Sequence, residues 1–202
     1  MEKPILFSGP MVKAILEGRK WQTRRVIQPQ PKGIMTWHPA IERWSVERTG
    51  EIYKDKYGQP GDRLWVRETW AVVKSFDDLK PSEIPKGTAR WPVVWYAVPE
   101  IAAASIKNTG APVGKTRPGI FMPRWASRLT LEITAVRVER LQDITEKDAK
   151  AEGVIRHTTY HPRYGYRDGF CTLWDSVNLK RGFGWQSNPW VWVIEFAVQE
   201  RR

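Results

Sequence analysis

At 202 residues and 41% hydrophobic side chains, this chain is long enough to fold around its own core without disulfides, and its one cysteine, Cys171, can form none within the chain. No charged-then-apolar leader opens it and no run of about 18 apolar residues could span a bilayer, which points to a cytoplasmic protein with no membrane partner. A formal charge of +11 and twelve tryptophans direct attention instead to polyanions whose bases stack on indole rings, although most large aromatics serve cores.

In chain order, Pro4–Phe7 reads as a short strand, and Ser8-Gly9-Pro10 as a helix start with proline at the first helical position. Met11, Val12, Ile15 and Leu16 recur at helical spacing, and Gly18 stops the helix. Residues 28–60 are rich in Pro, Gly and polar side chains and read as loop, with one hairpin around Thr49-Gly50. Pro60-Gly61-Asp62 turns into an alternating strand over 63–70, with Leu64 and Val66 on one face and Arg63, Trp65 and Arg67 on the other.

Residues 72–120 change texture. A polar stretch over 75–87 holds a helical turn, 91–98 reads as a strand, and 100–119 is a loop of small residues. This block reads as an insertion into one domain covering 1–202, whose essential parts lie on either side.

The strand over 128–140 carries Leu129, Leu131 and Ile133 at odd positions but Val136 and Val138 at even ones. A bulge or bend near Thr134-Ala135 produces such a slip. Thr145-Glu146-Lys147-Asp148 is a capping box with Asp in place of Glu, opening a helix that ends at Gly153. A second helix over 170–180 sets Phe170, Leu173, Trp174 and Val177 on one face and closes at Gly182. The last strand, 190–198, lines Trp190, Trp192, Ile194, Phe196 and Val198 along one side. Short bent strands with few helices predict an α+β fold: a small bent β-barrel with peripheral helices. The chain lacks the regular βαβ alternation of a Rossmann sheet.

Two apparent motifs fail on inspection. Gly110 to Thr116 imitates a phosphate-binding loop but has three residues between its glycines where four are needed, and Pro118 opposes a following helix. His157 and His161 have the spacing of a helical metal pair, yet Pro162 and Gly165 argue for a loop. No metal and no cofactor is expected.

The densest chemistry lies in Gly18-Arg19-Lys20-Trp21-Gln22-Thr23-Arg24-Arg25. A Lys and a Thr three apart share a face on a helical turn and point to opposite faces of a strand, so a pocket using both requires a turn at 18–23. There a desolvated Lys20 could take the proton of Thr23. Arg19, Arg24 and Arg25 would depress the lysine pKa and hold a phosphate or oxyanion. The same residues also read as a solvated cationic edge gripping a phosphate backbone without chemistry, and the local sequence alone favours that reading. Glu68, on the face of Leu64 and Val66, requires a partner such as an arginine, as an ion-pair member or a pocket acid. Arg124-Trp125 offers a guanidinium beside a stacking ring, or a core tryptophan.

With Pro60-Gly61-Asp62-Arg63-Leu64-Trp65-Val66-Arg67-Glu68-Thr69-Trp70, the stretch 144–154 and Asn188–Phe196 in the same order, the chain resembles the ASCH domain of the PUA-like superfamily, in the version carried by tailed bacteriophages and prophages. The likeness covers most of the chain outside 28–58 and 72–118. It implies a PUA-like barrel, in a bacterial host cytoplasm, whose basic cleft holds RNA, a nucleoside or a nucleobase. Some small ASCH proteins are amidohydrolases that remove the acetyl group of N4-acetylcytidine with a Lys, a Thr and a Glu. By motif these fall on Lys20, Thr23 and Glu152, with Arg25 as an oxyanion donor. Other ASCH proteins are described as ribonucleases or as binders without chemistry. In a binder, Arg19, Arg24, Arg25 and Arg124 would hold phosphates, Trp21 or Trp125 would stack on a base, and Glu68 would serve the pocket. The 72–120 block and the bulky Trp21 depart from the small amidohydrolases, which carry a small residue between Lys and Thr.

Overall fold

The computed structural model of the chain describes residues 1–85, 94–96, 112–156 and 165–201. Its principal elements are β1 (Glu2–Leu6), α1 (Gly9–Leu16), β2 (Gln22–Val26), β3 (Met35–His38), β4 (Arg43–Val46), β5 (Ile52–Tyr53) and β6 (Arg63–Arg67). They continue with β7 (Trp70–Ala71), β8 (Trp95–Tyr96), β9 (Leu129–Arg140), α2 (Glu146–Ala151), α3 (Tyr166–Asn178) and β10 (Trp190–Arg201). The fold is α+β, with no helix among the described residues long and apolar enough to cross a membrane. The chain divides into two compact units: 1–17, 63–132 and 198–202 form the first, and 18–62 with 133–197 the second.

In the first unit the strand order is β1-β6-β9. β1 runs parallel to β6 with Ile5 opposite Val66, and β6 runs antiparallel to β9 with Leu64 opposite Leu131. Leu64 and Val66 are buried as their alternation predicts. Trp65 on the opposite face is buried too, beneath the Arg67 guanidinium 4.6 Å from its ring. In α1, Pro10 occupies the first turn, where a missing N–H costs nothing, and Val12, Ala14 and Ile15 turn inward. The described part of 72–120 packs against Trp70, Met122 and Ala126 through Val72 and Ile84. Gly119 is required by close approach: a Cβ there would sit 2.9 Å from the backbone carbonyl of Glu68. The false phosphate loop lies partly outside the described residues. Its described part is tied to backbone, with Val113 bridging Val73 and the Gly114 N–H donating to the Val72 carbonyl.

In the second unit the order is β9-β10-β2, with Val193 opposite Arg24. The described strands do not close the expected barrel in either unit. In the second unit β2 is the last strand of the order, and a helix end meets the chain at its start. There the end of α2 joins the chain just ahead of the strand, through the Trp21 N–H on the Ala151 carbonyl and a Lys20–Glu152 bridge. The region read as mostly loop, 28–60, forms a three-stranded sheet, β3-β4-β5, in which Trp37 lies opposite Trp44 with rings 5.5 Å apart. The turn between β4 and β5 holds Arg48 and Gly50 at positive φ, where the hairpin was expected.

α3 starts at Tyr166, earlier than its apolar stripe predicts, and packs Phe170 and Trp174 against Val191 and Val193 of β10. Val177, expected on that face, is exposed. β10 is buried on both faces from Val191 to Ile194 rather than along one side. Burial along β9 moves from Leu129, Leu131 and Ile133 to Val138, the parity change read in the sequence.

The capping box of α2 is complete. Thr145 Oγ1 accepts from the Asp148 N–H at 3.1 Å, and the Asp148 carboxylate accepts from the Thr145 N–H at 3.3 Å. Burial pushes the Asp148 pKa up, but the Thr145 bonds with Arg24 and Arg137 outweigh it and hold the group below 3.8. A carboxylate with a depressed folded pKa stabilises above its unfolded value and loses that contribution as pH falls through the folded one. Asp148→Asn is therefore expected to cost about 1 kcal/mol at pH 7. The difference should shrink below pH 3.8. Urea unfolding of both proteins at neutral and acid pH checks this, and equal stabilities at pH 7 would refute it.

Candidate functional site

Gly18, at φ +72°, ends the helical segment, and the chain then becomes extended rather than turning. Lys20 bridges Glu152, and the Trp21 carbonyl accepts from the Phe196 N–H at 2.9 Å before β2 begins at Gln22. The turn that a shared Lys20–Thr23 pocket requires is not formed. Lys20 and Arg24 meet on one carboxylate: Lys20 Nζ donates to Glu152 Oε2 at 2.8 Å, and Arg24 Nη1 to Oε1 at 3.2 Å. Thr23 precedes Arg24 in the same strand, so its side chain leaves on the other face, together with that of Arg25. The structure brings Lys20 and Glu152 together, and Thr23 is buried in the adjoining strand.

Lys20 is 2% exposed and Glu152 4%. The Lys20 ammonium also donates to the carbonyls of Gln22 at 2.8 Å and Glu152 at 2.9 Å, so three acceptors match its three protons. Burial lowers the Lys20 pKa, Glu152 opposes that, and the nearby Arg25 and Arg24 charges add to the lowering. Arg25 is half-buried, and burial lowers its pKa as well.

Arg24 is equally committed. Its Nη2 reaches Glu139 at 2.9 Å, and its guanidinium lies 5.9 Å from the Phe170 ring centroid. Arg137 of β9 completes the network, donating to Glu139, Glu195 and Asp148. Burial works to lower the Arg137 pKa, but those carboxylates outweigh it and hold the value up. Sequence reasoning missed Arg137, Glu139 and Glu195. The signal was there in charged residues at alternate positions of otherwise apolar strands, which require partners.

Beside this network a hollow of about 650 Å³ opens on the opposite side of the same backbone. Arg19 and Trp21, the neighbours of Lys20, form one wall with Gly18; Lys147, Lys150 and Ala151 of α2 form another; Val154, Ile155, Arg156 and Tyr166 complete it. Trp21 is 40% exposed. Arg19 Nη1 donates to the Gly153 carbonyl at 3.0 Å, and the Lys150 ammonium stands 5.9 Å from the Tyr166 ring centroid. Lys20, Thr23 and Glu152 do not line this hollow. Its chemistry is cationic and aromatic, with no carboxylate among the lining residues.

The remaining predicted site residues belong to the first unit and are occupied by protein partners. Glu68 receives Arg128 at 2.9 and 2.8 Å, beneath a Tyr96 ring 4.0 Å from that guanidinium. Burial raises the Glu68 pKa and Arg128 opposes the rise. Arg124 holds Glu2 at 3.0 and 2.8 Å and Thr130 at 3.1 Å. Trp125 packs edge-on to Trp70, with ring centroids 6.1 Å apart. Among the described residues no group of His, Cys, Asp and Glu is arranged to hold a metal; His157 and His161 lie outside them. No protein-family model, curated protein or solved structure matches this chain.

Removing the shared anion should be costly, because it strands two cations away from water. Glu152→Gln is expected to destabilise the protein by about 3–5 kcal/mol. Lys20→Met combined with Glu152→Gln should lose less than the two single changes together, by about 1 kcal/mol or more. Urea midpoints of the four proteins measure this coupling; strict additivity would show that the pair does not act as a unit.

Proposed function

We propose that this protein is a nucleic-acid-binding module of the ASCH, PUA-like kind, which takes RNA or a nucleobase against the hollow flanked by Arg19 and Trp21. The observation that carries this reading is the composition of the walls: an exposed indole and a tyrosine beside four cations, with no carboxylate among them. An aromatic face stacks on any base, contributing about 1–3 kcal/mol, and cations around it hold the attached backbone. The overall charge of +11 favours the same class of partner. The four stretches of sequence that resemble ASCH domains point the same way.

Amide hydrolysis of an N4-acylcytidine is the second reading, favoured by the Lys20–Glu152 contact, which joins two residues that the resemblance pairs by role. It requires Thr23 to share a pocket with Lys20. The three acceptors already engaging the lysine ammonium favour binding over chemistry.

A fluorescently labelled single-stranded RNA, followed by anisotropy, tests the first reading. Binding should weaken with salt, and Trp21→Ala should reduce affinity about 5- to 150-fold. Incubation with N4-acetylcytidine should release no cytidine. Cytidine release that vanishes in Thr23→Ala would transfer the assignment to hydrolysis, and RNA bound equally well by Trp21→Ala would remove the hollow from the binding site.

A further inference from the structure

We infer that the hollow recognises phosphate as well as base. Its ligand is a phosphate-bearing nucleotide unit, free or within a single strand, and a neutral nucleoside binds it poorly. This rests on the binding reading above and adds the chemical class of ligand.

The argument is one of charge balance. On the inner side of the wall every cation meets carboxylates: Lys20 meets Glu152, Arg24 meets Glu139 and Glu152, and Arg137 meets Glu139, Asp148 and Glu195. In the hollow the pattern reverses. Lys147, Lys150 and Arg156 are exposed and have no ion pair among the described residues. Lys147 and Lys150 are three apart on α2 and share its face, an arrangement that is repulsive until an anion enters.

The nearby acids cannot serve as that anion, because each is already engaged. Glu146 accepts the Tyr166 and Arg167 N–H groups at 2.7 and 3.3 Å. Asp148 caps α2 and holds Arg137, and Glu152 lies between Lys20 and Arg24.

Size and shape narrow the anion further. At about 650 Å³ the hollow falls within the range of sites that enclose small molecules, large enough for one nucleotide. Trp21 and Tyr166 bring rings to its lining, Val154 and Ile155 apolar side chains, and Arg19, Lys147, Lys150 and Arg156 positive charge. Arg19 is already tethered to the Gly153 carbonyl, so the guanidinium loses less freedom when it grips an anion. An acidic peptide would satisfy the cations but leave the two rings without a stacking partner.

The test compares adenosine, adenosine monophosphate, a short single-stranded RNA and a duplex of the same sequence, by calorimetry and by anisotropy at several salt concentrations. The monophosphate should bind about 10-fold or more tightly than adenosine, since a phosphate adds charge-assisted hydrogen bonds. With three phosphates neutralised, the strand should show a slope of log affinity against log salt of about −2, an approximately 20-fold loss between 50 and 200 mM salt. Lys147→Ala, Lys150→Ala and Arg156→Ala change exposed side chains, so the fold is retained. Each should lower strand affinity and flatten that slope by roughly 0.7. Adenosine bound as tightly as the monophosphate, without a salt slope, would overturn phosphate recognition while leaving the base-binding reading intact. Phosphate-dependent binding that ignores all three substitutions, or a duplex bound as well as the strand, would also overturn it. If none of the four ligands binds, both readings fall.

Discussion

The carboxylate of Glu152, held between the Lys20 ammonium and the Arg24 guanidinium, is the contact on which the second unit depends. Three charged groups out of contact with water can persist only if each finds its opposite, and here two cations share one anion while Glu139 takes the remaining charge of Arg24. The arrangement also sets direction. Because Lys20 must face inward to reach Glu152, its neighbours Arg19 and Trp21 face outward. The cationic, aromatic wall of the hollow follows from the pairing behind it.

A network of this kind contributes more to register than to net stability. Well-packed apolar residues could replace buried ion pairs at little cost, whereas a slip of one residue in β2 would turn Arg24 away from Glu139 and Glu152. Asp148 adds a second lock. It caps α2 through Thr145 and pairs with Arg137, so the helix that supplies Lys147 and Lys150 to the hollow is tied to the charged interior. The site is thereby carried on a strand and a helix whose positions are over-determined.

The first unit solves the same problem differently. Glu68 and Arg128 meet as a two-point pair beneath Tyr96, and Arg124 closes on Glu2 and Thr130. Arginines that look available for phosphate in a list of basic residues are thus largely occupied by protein. The excess charge that matters for a partner is the part left over after such pairing, and four cations of the second unit line one hollow.

Features governed by a few consecutive residues were legible in the sequence: the proline-started α1, the Thr145–Asp148 capping box, the turn at Gly50, the burial of Leu64 and Val66, the parity change along β9, and the need of Glu68 for an arginine. Each depends on spacing or backbone preference over one or two turns of chain. Tertiary structure alone decided that the Glu152 carboxylate is shared between Lys20 and Arg24, and that β3 joins the predicted hairpin as a third strand. It also left Val177 exposed, kept the described strands from closing a barrel, and gathered Lys147, Lys150 and Arg156 with Trp21. Periodicity states which side chains share a face. It carries no information on which distant element will cover that face, because that choice is made by burial and charge pairing over the whole unit.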